Sequence, residues 1–163
     1  MATALARHRR LPAQEPTLRL IAFQLRHSWF CLPLAMARRV IPVVDELAQG
    51  LMLTQLNQEN IPIMDVGDRV YCSAPLLPGP ADPAPAVQKA LSQSILVIES
   101  PRFGLLGLRI DGVPSLKRAR QSAFSPVPAT YLMMHHLRGI NTLITLNETE
   151  PPLFLLEVDS LLP

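Results

Sequence analysis

The sequence is poor in charge: Asp, Glu, Lys and Arg make up 17% of its 163 residues, against 48% hydrophobic ones. That balance excludes an intrinsically disordered chain, which needs the opposite composition. Mean hydropathy is high, at +0.22, yet no apolar run approaches the roughly 18–20 residues of a membrane-spanning helix. The excess apolar surface must be buried internally or against a partner. Lysine is nearly missing, with Lys89 and Lys117 standing alone among arginines. Arginine forks suit carboxylate contacts at interfaces, and a GC-rich genome gives the same bias. The net charge of +2 is too small to imply a nucleic-acid partner. The run Lys117–Arg120 also lacks the interleaved aromatics of a base-stacking platform, Phe124 being the only one nearby.

Reactive groups are equally sparse. Cys31 and Cys72 lie far apart, outside any C-x-x-C, and read as two reduced core thiols of a cytoplasmic protein. No nucleophile elbow, phosphate-binding loop, dinucleotide fingerprint or zinc-protease motif occurs. His135 and His136 are adjacent, whereas metal ligands want spacings of two on a strand or four on a helix. The chain is therefore expected to be no enzyme and to need no cofactor. Residues Met1–Pro16 carry Arg7, His8, Arg9 and Arg10, with no apolar segment before Leu18. The secretory pattern is absent, and a disordered basic arm is expected there; an arm that binds anionic lipid or an acidic partner is the alternative.

What the sequence does contain is short apolar strands. Three of them end on aspartate: Asn60–Asp68, Leu105–Val113 and Leu153–Leu161. Aspartate at such ends caps backbone N–H groups. Thr17–Arg26 is apolar on both alternating faces, the pattern of a strand buried from two sides. Trp29–Leu34 completes a hairpin, Ala35–Arg39 gives one helical turn, and Val40–Val44 is extended. Leu51–Leu56 and Ile61–Val66 follow as strands. Ser73–Pro85, with Pro75, Pro78, Pro80, Pro83 and Pro85, reads as a connector, and Ala86–Ser92 as a short helix. Ser94–Glu99 restarts the strands. Leu106, Leu108 and Ile110 alternate toward a turn at Asp111, and Ser115–Ser125 is basic and weakly patterned. Ile140–Leu146 and Leu153–Val158 close the set, with Asp159 capping a last short helix. Four or five strands on each side of the connector predict an all-β fold of two small open barrels.

Five segments in this order resemble the CheW-like domain of bacterial chemotaxis scaffolds. They are Leu32–Ile41 (LPLAMARRVI), Leu56–Val66 (LNQENIPIMDV), Leu106–Val113 (LGLRIDGV), Pro126–Pro128 with Leu137–Ile140 (LRGI), and Leu153–Leu162. The resemblance spans about Leu18 to Leu162. It implies two SH3-like five-stranded β-barrels around a shared core. Residues 17–72 would then form mainly the first, 73–92 the connector and 93–163 mainly the second. It also implies a non-catalytic adaptor that joins the cytoplasmic tip of a methyl-accepting chemoreceptor to the regulatory domain of a CheA-type histidine kinase. The setting would be chemotaxis or another motility pathway, with neither nucleic acid nor membrane insertion. The implied contact residues are Arg39, Val40, Ile41, Asn57 and Gln58 on the first half, and Val113, Leu116 and Arg138 on the second. For Val40, Ile41 and Val113 a core position is equally open. Two departures stand out. Arg39 occupies the glutamate position of the family's V-x-E-V, and Asn57–Gln58 replace the Arg–Gly of its L-R-G. A reversed charge at a contact surface changes partner choice. The alternatives are a diverged array subunit that binds kinase but not receptor, or a small nucleic-acid-binding barrel.

Overall fold

A computed structural model describes residues 13–43, 53–56, 59–71 and 93–162. Cys72, the proline-rich connector and the first twelve residues of the basic arm lie outside them.

Among the described residues, ten strands carry the fold: β1 (Thr17–Leu25), β2 (Ser28–Pro33), β3 (Ala37–Pro42), β4 (Leu53–Leu56), β5 (Glu59–Asp65), β6 (Gln93–Ser100), β7 (Gly104–Arg120), β8 (Phe124–Pro126), β9 (Ile140–Ile144) and β10 (Leu153–Leu156). Three short helices among the described residues join them: α1 (Val66–Val70), α2 (Ala129–Met134) and α3 (Val158–Leu161). The sheet order is β3-β6-β7-β1-β2-β10-β9-β8, with β5 beside β7 and β4 beside β5. Pairing is antiparallel except for β5 with β7 and β10 with β2.

The mainly β composition with short helices agrees with the sequence expectation; the two SH3-like barrels do not. Among the described residues the sheet is open, ending at β3 and β8, and no ladder joins either edge back on itself. The reason lies in β7. The sequence predicts a turn at Asp111, at the edge of the second half. Gly112 instead adopts φ +68°, and the strand runs on for 17 residues to Arg120. It pairs with β6 from Gly104 to Asp111, and with β1 at Asp111 and again from Ser115 to Arg120, across a register shift between Ala22 and Gln24. Pro114, which has no N–H to donate, falls in the irregular stretch of the β1 ladder between Asp111 and Ser115. One bent strand thus belongs to both halves and makes them a single sheet.

The period of two along β1 and β6 sorts their side chains into separate apolar layers. Ile21, Phe23 and Leu25 of β1 meet Leu96 and Ile98 of β6 in the main core. Leu20 and Ala22 face the other way, onto Cys31, Ala119, Ile144 and Leu153. Ile95 and Val97 join Ile61 and Ile63 in a third cluster. Both strands are therefore buried on two faces, as the unbroken apolar run in β1 predicts. Phe30 is the hub of the main core. Its ring lies 6.5 Å from Phe23, 6.2 Å from Tyr71 and 5.6 Å from Phe154. Complete burial of such a ring stabilises the fold by about 2–3 kcal/mol.

Two residues of this core have checkable consequences. Gly139 sits at φ +71°, and a Cβ there would lie 2.5 Å from Leu161 Cδ2 on α3. Gly139→Ala combines left-handed backbone strain with overpacking, and should destabilise by about 2–4 kcal/mol in denaturant titration. The Cys31 thiol is fully buried, and burial pushes its pKa up to about 12. In a Cys72→Ser background it should resist Ellman's reagent at pH 8 until the protein is unfolded.

Candidate partner-binding surface

Arg26 organises the junction between the two halves. The β1–β2 hairpin has a two-residue loop, Arg26–His27, with Arg26 at φ 57°. Glycine is preferred where a tight loop is left-handed. Arg26 is held there by its surroundings. Its backbone N–H donates to Asp111 Oδ2 at 2.6 Å, and its guanidinium reaches Asp68 Oδ1 at 3.2 Å. The same guanidinium lies 4.6 Å over the Tyr71 ring. The Tyr71 hydroxyl donates to Leu25 O at 3.0 Å, and burial raises its pKa. Asp65 caps α1 by accepting the Asp68 N–H at 3.2 Å. Two of the three aspartate-ended segments thus converge on one arginine. The third aspartate, Asp159, makes no cap bond within α3. It accepts from Ser100 Oγ at 2.5 Å.

Around this junction the sequence-predicted contact residues occupy three places. The first is β3, which pairs only with β6 among the described residues. A register shift between Ala37 and Arg39 turns Arg38 aside. Arg38 binds Glu99 and the Ala35 carbonyl. Arg39 is exposed and has no ionic partner among the described residues. Val40 is 40% exposed, which places it at the surface. Ile41 is half-buried and packs on the cluster of Ile61, Ile63, Ile95 and Val97. The two neighbouring arginines, alike in sequence, therefore differ: one is spent within the fold and one is available.

The second place is β7 just past its bend. Val113 is 80% exposed and Leu116 68% exposed, so Val113 is no core residue. Leu116 shares a groove with Leu34, Arg19, Lys117 and Arg118. The third is the segment after α2. Arg138 is exposed, and its backbone N–H donates to Val70 O at 2.8 Å. Its side chain lines a groove with Leu132, Met133, His136 and Leu137. Asn57 and Gln58 lie outside the described residues.

Sequence reasoning missed α2 and the surface it carries. Met133 and Met134 are about three-quarters exposed, and methionine is an adaptable contact residue. Tyr131 stacks between His135, at 4.3 Å, and Phe154, at 6.0 Å. Pro128 immediately before the helix was the available signal, since its fixed φ favours helix entry. The histidine pair is exposed, and His136, at φ 51°, lies just past the end of the helix. Among the described residues no three His, Cys, Asp or Glu side chains are grouped to hold a metal ion.

No protein-family model matches the chain, and no curated protein does. Among solved structures it is similar to the scaffolding protein TtCheW of Thermoanaerobacter tengcongensis, with a TM-score of 0.61. The match covers 91% of this chain and 89% of that one, at 14% sequence identity. A likeness at that identity is one of fold, and it extends over nearly the whole of both chains.

The junction itself can be tested. Asp111→Ala leaves the Arg26 N–H without its charged acceptor in a half-buried site, and should cost about 1.5–3 kcal/mol of stability. Asp68→Ala removes an exposed ion pair and should cost at most about 1 kcal/mol. Urea midpoints of the two variants measure the difference.

Proposed function

We infer that this chain is a non-catalytic adaptor, with residues 17–163 acting as one unit, that couples a chemoreceptor tip to the regulatory domain of a CheA-type histidine kinase. The observation that carries this reading is the fold likeness to a scaffolding protein across nearly the full length of both chains. The motif order supports it, as does the absence of catalytic signatures from the sequence. In this reading the chain works in the cytoplasm. None of its described helices is long and apolar enough to cross a membrane.

The mechanism is geometric. An adaptor holds the kinase in a position that depends on the receptor, and receptor occupancy then shifts the population of active kinase. Contacts of this kind bury about 800 Å² or less on each partner, and micromolar affinity, about −8 kcal/mol, suffices. Arg39 and Val40 on the open side of β3 form one contact, and Val113, Leu116 and Arg138 supply the other. Ile41, packed on the cluster of Ile61, Ile63, Ile95 and Val97, anchors the strand that carries Arg39 and Val40. Arg39 carries the opposite charge to the family's glutamate, so its partner should present a carboxylate there.

Calorimetric titration against the kinase regulatory domain from the same organism tests this reading. Wild type should bind at micromolar concentration, and Arg39→Glu should weaken binding about tenfold. Binding to kinase with none to the receptor tip would favour the diverged-subunit reading, for which Asn57 and Gln58 are the sequence grounds. No binding to either at tens of micromolar would sink the adaptor role.

A further inference from the structure

The ladder between β1 and β7 sets Arg19 directly opposite Arg118. Thr17 lies opposite Arg120 and Ile21 opposite Leu116. Residues two apart share a face, so Leu116, Arg118 and Arg120 line up on β7 beside Arg19 on β1. Like charges directly opposite on a sheet repel. Nothing within the described fold relieves that repulsion. Arg19, Arg118 and Arg120 are all exposed, and none forms an ion pair among the described residues. Glu15 lies within electrostatic reach of Arg120, but it is engaged by the Ser122 N–H. Lys117, on the opposite face of β7, is satisfied by Glu150 at 3.3 Å. Leu116 and Leu34 supply apolar surface in the groove that Arg19 and Arg118 line.

We propose that this face of β1 and β7, with Arg19, Arg118 and Arg120 around Leu116, docks a protein segment that carries carboxylates on either side of an apolar side chain. The carboxylates would sit between the opposed guanidinium groups, whose planar forks match them in pairs. The apolar side chain would cover Leu116, which is left 68% exposed. A nucleic acid fits less well, because the groove holds two leucines and no aromatic residue on which a base could stack. The inference rests on the adaptor reading to the extent that it gives the chemistry of one of the two bridged partners.

The test uses the full chain and three probes: a twelve-residue peptide of alternating Glu and Leu, the kinase regulatory domain with the receptor tip, and a twenty-nucleotide single strand. Wild type should bind the peptide about tenfold more weakly at 300 mM than at 50 mM NaCl. The Arg19→Glu/Arg118→Glu double variant should lose about tenfold or more for the peptide and for one of the two proteins, and keep the other. Arg118→Lys keeps the charge but not the planar fork, so its binding should fall between wild type and the double variant. The single variant Arg118→Glu turns a like-charge pair into an opposite one and should raise Tm, which separates lost binding from lost folding; if the double variant is unfolded, Arg118→Gln replaces it. A double variant that binds the peptide, or both proteins, as wild type does overturns the proposal. So does an oligonucleotide that binds more tightly than the peptide with the same sensitivity to charge reversal. If wild type binds neither protein, the adaptor reading falls by itself and the peptide alone decides this one.

Discussion

The bend in β7 is the constraint on which the rest of the structure depends. A single strand pairs with β6 and β5 up to Asp111, and with β1 from Asp111 across Gly112 to Arg120. The two halves therefore cannot move as independent barrels without breaking a backbone ladder. The bend is fixed at a point where glycine accepts φ +68°. It is pinned from outside by the Asp111 carboxylate on the Arg26 N–H. That contact also holds the left-handed Arg26 in its hairpin, and the Arg26 side chain reaches α1 and Tyr71. Backbone geometry, one charge-assisted hydrogen bond and the aromatic cluster around Phe30 thus support one another at the seam.

This arrangement divides the charged side chains into two groups. Arg26, Arg38 and Lys117 are used inside the fold, on Asp68, Glu99 and Glu150. Arg39, Arg118 and Arg19 are exposed and have no such partner among the described residues. In the proposed reading, these uncompensated charges on β3 and on the β1–β7 face meet a partner. Val40 and Leu116 lie beside them, so each cationic site has an apolar neighbour. A patch of apolar area with charges at its edge is the usual make-up of a modest interface, in which charge sets specificity and on-rate more than affinity.

Much of the strand set was legible because the pattern of burial is simple. The apolar run of β1 announced a strand covered on both faces, and β6 shows the same feature for the same reason. The aspartates announced caps and turns, and Asp65 is a cap. The open sheet was hidden from the sequence: Asp111–Gly112 reads locally as a turn within the second half, and only the ladder to β1 shows that the strand crosses to the first half. Arg26 was invisible as a junction residue, because its partners lie 42 and 85 positions away. The difference between Arg38 and Arg39 was equally hidden, since it depends on a register shift against β6. The exposure of Val113 follows from the bend and not from its own apolar character. Local pattern thus marked most strands but missed Ser115–Arg120 and the start of β3 at Ala37, and long-range pairing decided which residues face solvent.

The central claim is that one chain holds two different proteins at once through separate surfaces. Sedimentation velocity on an equimolar mixture of the full chain, the kinase regulatory domain and the receptor tip tests it most directly. The account predicts a single faster boundary containing all three components. Mutual exclusion of kinase and receptor tip, or a chain that sediments alone in their presence, would contradict it.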